Sequence, residues 1–533
     1  MRNNLLIILF ITNCFSVNSQ CINDSYSGFG GTYYDKGHSI ISDSLQNVFL
    51  AGYFTESIQL GNFTLTSDSI GEFLCKISPA GNILWAKTIF NNTGNYYSFY
   101  PPRLKIDHSG QLLVAGTCQN TNSNFDTISN AFTNGDLFIA RFNPGTGLLN
   151  SFISTGRHLW TFIMDFDIDN ADNIYLAGSF VGIINFGGLS LSCVGQTNSF
   201  LVKFNSQNQA IWLNRITTVP TTTGNFARSI NYDNYNHIYV SGWYGLNADF
   251  GNGISLTSPV YQNGFIAKYN INGNVEWAKT SDTSKSFNHQ IVNDTNSITL
   301  IERSPDAFVN YNQDGDTVWT KIISGNNNTA NFTDFLEFNG KCYLVGNFSN
   351  TLNIQGNIFT GAWLNSFVAS FDLNGDFDWA RIFQSTSGIS FNNFTIDNQS
   401  TIHIIGDYAP YDTINQIIIM PWWGNAGYSG SGEILYAKLC NAATTISENI
   451  SENNFMNIFP NPASSEFQIS NFAFQTGNEI IFSDITGKIL FTKRISNLTS
   501  DFRLLISDFS NGIYFLEVKT NEGVLNKKVL VQH

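Results

Sequence analysis

The chain has 533 residues, too many for one ordinary domain, so two or more are expected. Only 12% of residues are charged, about half the usual share of roughly 25%, while 14% are aromatic, 46 of them Phe. That is a composition of strands and turns rather than of a disordered chain, and a net charge of -14 disfavours nucleic acid as a partner.

The first residues, MRNNLLIILFITNCFSVNSQ, have the form of an export signal: Arg2, an apolar run from Leu5 to Ile11, and Val17-Asn18-Ser19 as a cleavage site. Residues 1–19 are expected to be removed, and the apolar run is too short to span a bilayer. Asn13 and Gln20 precede Cys14 and Cys21 where a lipid-attachment site would need a small residue. No other stretch has transmembrane length.

From there to Cys440 one phrase recurs. Its clearest copy is FARSINYDNYNHIYVSGWY, a loop, then GFIAKYNINGNVEWAKT. Period-two alternation divides it into strands at Arg228–Asp233, His237–Trp243, Gly264–Tyr269 and Asn274–Thr280. The second strand of each copy ends in Gly: Gly52, Gly116, Gly178, Gly242, Gly346 and Gly406, with Glu302 in a degenerate fifth copy. The fourth strand centres on Trp85, Leu149, Trp212, Trp277, Trp319 and Trp379. A unit this small cannot bury its own apolar face, so the copies must stack. Four strands in each of seven copies predict an all-β, seven-bladed β-propeller over residues 20–440, with an open solenoid or two smaller rings as alternatives.

The seventh copy lacks a fourth strand. Tyr26, in SYSGFGG, aligns with Trp277 and supplies one, which closes the ring. In that alignment Cys21 and Cys440 fall where other copies have the hairpin between third and fourth strands. A Cys21–Cys440 disulfide is expected in its place, across a very long loop and in the oxidising setting that export supplies. Cys75 aligns with Ala267 as a small core residue.

Residues 441–456 read as a linker. A different module follows over 457–533, with turns at Thr486-Gly487 and Asn511-Gly512. Phe459-Pro460-Asn461-Pro462, Asp484-Ile485-Thr486-Gly487-Lys488, Gly512-Ile513-Tyr514 and Lys527-Lys528-Val529-Leu530-Val531 carry a resemblance to the type A C-terminal sorting domain of the Bacteroidetes type IX secretion system. The resemblance implies a small β-sandwich, recognition by that secretion machinery, and passage across the outer membrane. Removal of the domain, then release or surface attachment, is what it implies next. The repeats over about 25–440 are similar to bacterial propeller repeats of the NVYVTG type.

Chemistry is sparsely signalled. MDFDIDNADN (Asp165, Asp167, Asp169, Asp172) and DLNGDFDW (Asp372, Asn374, Asp376, Asp378) lack the glycine and closing Glu positions of a calcium loop. They coincide with repeat turns, and turn roles are expected. His38 and His289 fall at the start of first strands, facing the channel, with no base or nucleophile at recognisable spacing. GxSxG, HExxH and P-loop signatures are absent, and no cofactor or metal is expected. The best candidate contact surface is the loop of the seventh copy, where Trp422, Trp423 and Tyr428 stand among glycines. An exposed aromatic there would stack on a sugar or anchor a protein. The expectation is a secreted or surface-attached, non-catalytic binding module for a glycan or a protein. An extracellular lyase or glycosidase acting at the channel mouth is the alternative, and a scaffold or adhesin the third reading.

Overall fold

A computed structural model describes residues 24–31, 33–92, 102–118, 124–129, 131–132, 136–155, 161–218, 224–259, 263–281, 289–292, 298–302, 307–322, 330–361, 364–385, 388–408, 413–414, 417–418, 433–440, 457–460, 463–470, 474–484, 488–496, 502–520 and 523–532. The chain forms two compact units, residues 1–441 and 442–533.

The described part of the first unit is all-β. It contains seven sets of four antiparallel strands, numbered here in order of their first strands. Set four is Asn225–Tyr232, His237–Tyr244, Asn263–Asn270 and Val275–Thr280, each strand within three residues of its sequence-based bounds. Its strands 2 and 3 also lead into a short hairpin, Asn247–Gly251 with Ile254–Thr257, and sets three and six carry counterparts.

The first strands are Lys36–Ser42, Arg103–Ile106, Phe162–Ile168, Asn225–Tyr232, His289–Val292, Ala330–Phe338 and Ile389–Ile396. Each touches the next in chain order, and the last touches the first. Such cyclic contact makes a closed β-propeller whose first strands surround a central channel.

Two devices hold neighbouring sets together. The first lies on the channel side. Five first strands bulge at one position, between Gly37 and Ser39, Ile163 and Asp165, Ala227 and Ser229, Phe332 and Asp334, and Phe391 and Asn393. A bulge re-aims the residue after it. In four of the five that residue reaches into the next set and accepts a backbone N–H there. Asn393 Oδ1 takes Ile40 N–H (3.0 Å), Ser39 Oγ takes Leu104 N–H (3.2 Å), Asp165 Oδ2 takes Ile230 N–H (3.1 Å) and Asp334 Oδ2 takes Phe394 N–H (3.2 Å).

The second device lies on the outer strands. The fourth-strand Trp donates its indole N–H to the third-to-fourth-strand turn of the next set. Trp85 reaches the Pro144 carbonyl (3.3 Å), Trp212 that of Ile271 (3.0 Å) and Trp277 that of Gln313 (2.7 Å). The ring lies so close over the turn that a Cβ on Gly273 would stand 2.8 Å from Trp212, and φ there is +82°. Glycine alone fits both demands.

Set seven is completed from the N-terminus. Ser25–Gly31 pairs antiparallel with Glu433–Leu439, from Ser25↔Lys438 to Phe29↔Ile434, as the alignment of Tyr26 anticipated. Gly30 and Gly31 then run on to pair with Gln59 and Ile58 of set one. Where a turn would join strands three and four, Asp24 Oδ1 instead accepts the Cys440 N–H at 3.1 Å, and Asp24 pairs with Arg381 of set six. Cys21 lies outside the described residues. Among the described residues Cys75, Cys118, Cys193 and Cys342 take part in no disulfide, and Cys440 is not in that group. Cys75 is fully buried in the core, as its alignment with Ala267 suggested.

Two carboxyls are buried at this closing seam. Asp35 accepts the N–H groups of Gly31 (2.7 Å) and Thr55 (3.2 Å), while Glu433 is 1% exposed with Oε2 unpartnered. Burial pushes Asp35 up to about 7 and Glu433 up to about 8, with the Asp35 charge adding to the second. The folded chain keeps protons that the unfolded chain releases above about pH 4. The stability these two groups contribute is therefore full below that pH, declines as pH rises through the window to about 8, and is level beyond it. Thermal melts between pH 5 and 8 should show Tm falling with pH. Glu433→Gln should flatten the fall and exceed the parent at pH 8 by on the order of 2 kcal/mol. Parallel curves for the two proteins would mean that Glu433 has no part in the pH dependence.

The second unit packs two sheets around one core. One sheet is Asn457–Phe459, Glu466–Ser470 and Phe502–Leu505; the other is Ile489–Arg494, Glu479–Asp484, Gly512–Thr520 and Gly523–Val531. Alternate residues Phe467 and Ile469, Ile480 and Phe482, Leu516 and Val518 point inward, as a half-buried strand requires. Phe482 and Tyr514 stack at 5.2 Å, and the Tyr514 hydroxyl donates to the Ser510 carbonyl beside the Asn511-Gly512 turn (2.7 Å).

Candidate functional site

The first strands that close the ring also line a cavity of about 300 Å³ in the central channel. That is the low end of the roughly 300–1,000 Å³ typical of small-molecule sites. Its lining is mostly polar, and much of it is charged: Arg103, Lys105, Asp165, Arg228, Asp334 and Glu337.

Strand register sets which groups face which way. Asp165 and Asp334 sit after the bulges and turn toward the neighbouring set. Asp165 accepts Phe166 N–H (2.9 Å), Ile230 N–H (3.1 Å) and the Ser229 hydroxyl (2.9 Å). Asp334 accepts Phe335 N–H (2.9 Å), Phe394 N–H (3.2 Å) and the Asn393 amide (2.5 Å). Burial pushes Asp334 up to about 7, against those N–H groups and the Arg103 charge. Burial raises Asp165 as well, opposed by Arg103 and Lys105. Two positions past Asp165, Asp167 forms an ion pair of 3.0 Å with Lys105 of set two. Burial works against the Lys105 charge, but Asp167 and Asp165 outweigh it and leave the ammonium above its ordinary value.

The two arginines are differently placed. Arg103 Nε–H reaches the Met164 carbonyl at 3.3 Å, and Arg228 Nε is buried without a partner. Neither forms an ion pair among the described residues. Asn231, a further lining residue, has Oδ1 buried and unpartnered. His38 occupies the bulge of the first set. Burial drives its imidazole well below its ordinary value, with Lys36 and Arg103 adding, so it is neutral, and Nε2 has no partner.

At the end of the channel where first strands begin, the residue after the second-strand glycine is aromatic in sets one and four. Trp243 stacks on Phe226 at 4.6 Å and 26°. Tyr53 lies 5.2 Å from the His38 ring and 6.1 Å from Tyr34, itself 41% exposed. Trp422, Trp423 and Tyr428 lie outside the described residues. So does the side chain of His289, whose backbone is in the first strand of set five.

The acidic clusters divide in a way the sequence reading did not. Asp169 is a turn residue, accepting N–H from Ala171 and Asn173 (3.0 Å each), and Asp372 does the same for Asn374 and Asp376 (2.9 Å each). Asp165 and Asp167 are not in the turn. They belong to the first strand and face the channel region, which corrects their assignment to a repeat turn. The alternation in Phe162–Ile168 was the available signal. Arg103, Lys105 and Arg228 carried none, since lone basic residues in short strands look like surface charge.

Residues 457–532 match the family described as secretion system C-terminal sorting domain. The chain is 23% identical over 470 residues to an uncharacterized WD repeat-containing protein of Acanthamoeba polyphaga mimivirus; the match covers 72% of this chain and spans about a third (31%) of that relative's length. Among solved structures, virginiamycin B lyase from Staphylococcus aureus is similar at 8% identity and TM-score 0.39, over 78% of this chain and 99% of that one. The WD40 β-propeller domain of Doa1 is similar at 9% identity and TM-score 0.40, over 78% and 97%. An α-L-arabinanase of Penicillium chrysogenum is similar at 11% and 0.39, over 66% and 98%.

The C-terminal module is therefore a sorting domain of the type IX kind, which engages secretion machinery, and the protein is secreted or attached to the cell surface. Among the described residues no helix is long and apolar enough to cross a membrane.

Proposed function

We propose that this protein is an exported seven-bladed propeller, residues 20–440, that binds a glycan or a protein outside the cell without transforming it. Residues 1–19 would be its signal, 441–456 a linker and 457–533 the segment read by the secretion machinery. The observation that carries the binding reading is the use of the channel carboxylates. Asp165 and Asp334 each spend Oδ1 on the N–H of the following residue and Oδ2 on an N–H of the next set, so neither is aimed at a ligand as a general base. Aromatic pairs at the channel mouth, Phe226 with Trp243 and Tyr34 with Tyr53, support ligand stacking on the same face. Trp422, Trp423 and Tyr428, outside the described residues, are the further contact residues of this reading.

A Cys21–Cys440 disulfide would replace the missing turn of set seven. The Cys440 N–H bonded to Asp24, three residues from Cys21, supports it. Non-reducing peptide maps should contain that linked pair, and two free thiols would remove it.

The enzyme reading draws on one observation, the Asp334 carboxyl held at about 7 in a polar cavity. A single experiment separates the readings. Secreted protein is incubated with a panel of polysaccharides, and retention and released products are both recorded. Retention without products, weakened at least tenfold in Trp422→Ala/Trp423→Ala, is the expected result. Released products would put the enzyme first. Neither retention nor products would turn the search to protein partners and scaffolding.

A further inference from the structure

We propose that the channel cavity binds one neutral monosaccharide unit, held through its hydroxyl groups by Arg228, Asn231 and Glu337 over the ring of Tyr232. This rests on the binding reading above, takes its glycan branch, and gives it a contact inside the channel.

The charges on the cavity walls match. The lining carries three cationic side chains, Arg103, Lys105 and Arg228, and three carboxylates, Asp165, Asp334 and Glu337. Lys105 has a further carboxylate, Asp167, at 3.0 Å, and the Arg103 charge acts on both Asp165 and Asp334. The walls therefore hold no surplus of cationic charge. A charged ligand entering would give up its hydration and meet repulsion as well as attraction. A hydroxyl group both donates and accepts. It takes a hydrogen bond from a guanidinium or an amide and gives one to a carboxylate, so a neutral molecule with several hydroxyls suits walls of mixed sign.

The lining runs from the middle of the first strands to their ends, reaching Tyr232, the last residue of Asn225–Tyr232. It lies toward the opposite end of the channel from Trp243 and Tyr53. Arg228 and Asn231 are half-buried there, and their side chains form no hydrogen bond or ion pair among the described residues. Both line the cavity without fastening the fold. Glu337, on the first strand of set six, is also half-buried. A carboxylate offers about four acceptor sites, and the Gly340 N–H takes one at 3.1 Å. Tyr232 has its ring parallel to that of Tyr175 (6.1 Å, 5°), whose hydroxyl is tied to Asp169 at 2.9 Å. A ring held in this way is a platform for the C–H face of a pyranose. The volume of about 300 Å³ suits one sugar unit rather than a length of chain.

The test uses the full secreted protein with glucose, galactose and mannose as probes, each beside its uronic acid and its 2-amino sugar, read by calorimetry and thermal shift. At least one neutral sugar should bind saturably and raise Tm, with both of its charged counterparts at least tenfold weaker. Arg228→Gln and Asn231→Ala should each lower that affinity at least tenfold while keeping the parent's Tm in the absence of sugar, because neither side chain fastens the fold. Lys279→Met, which removes the exposed pair with Asp316, should bind like the parent. Should one channel variant fail to fold, the other carries the test. No saturable binding by the three neutral sugars, equal or tighter binding of a charged counterpart, or undiminished affinity in the channel variants would each overturn the proposal. Polysaccharide retention without monosaccharide binding would overturn it while leaving the broader binding reading intact, and absence of both would remove the two together.

Discussion

A chain that begins at Tyr33 will not give a cooperatively folded propeller, although it lacks only the segment before set one. Ser25–Gly31 is the sole described partner of the outer edge of Glu433–Leu439, over five register pairs. Without it, that strand becomes an open edge with its backbone groups unpaired. Phe29, 5% exposed, is lost from the core it shares with Ile434 and Tyr436. The Asp24 contacts to Cys440 and to Arg381 of set six go as well. A ring cannot absorb such a gap locally, because each set is held by both neighbours. The truncated protein should bind a hydrophobic dye, self-associate, and show no single unfolding transition in urea. Phe29→Ala in the full chain offers a graded version, with a cost of about 3 kcal/mol. A truncated protein that melts like the parent would mean that closure by the N-terminal strand is dispensable.

Much of this fold was legible in the chain. The strand pattern and the N-terminal fourth strand both follow from period-two alternation and from glycine and asparagine at turns. The sorting module was legible for the same reason, since four short phrases with fixed turn chemistry mark it. What the sequence hid was non-local. Trp85, Trp212 and Trp277 read as centres of their own strands, yet each also fastens the turn of the following set, some 36 to 59 residues on. The bulges are hidden for a like reason: Ser39, Asp165, Ser229, Asp334 and Asn393 share a position but not a residue type. Because those bulges decide which acids face the channel, the candidate site could not be assembled from spacing. Its arginines emerged only when strands from different sets met around one axis.

The same bulges explain the most regular feature of the sequence, and they set the second large expectation. In five of the seven sets the second strand carries glycine where the first strand, bulging opposite it, brings a carbonyl almost onto that residue. A Cβ at Gly242 would stand 2.0 Å from the Phe226 carbonyl oxygen and 3.0 Å from the Ala227 Cα. Equivalent carbonyls lie 2.1 Å from such a Cβ at Gly178 and Gly52, and 2.2 Å at Gly406. The obstacles are backbone atoms, so no side-chain rotation relieves them. Gly242→Ala should therefore cost about 3 kcal/mol, at the upper end of overpacking changes, and Gly242→Val should abolish cooperative folding of the ring. Gly145→Ala is the control. Its added methyl would meet only the Asn143 side-chain oxygen at 3.2 Å in an exposed turn, and should cost under about 1 kcal/mol. Urea unfolding of the three variants decides the matter. If Gly242→Ala is as mild as Gly145→Ala, the carbonyl approach is not what keeps glycine at these positions. A large gap between them would tie the recurring glycine to the bulge, and the bulge to the inward placement of the channel residues.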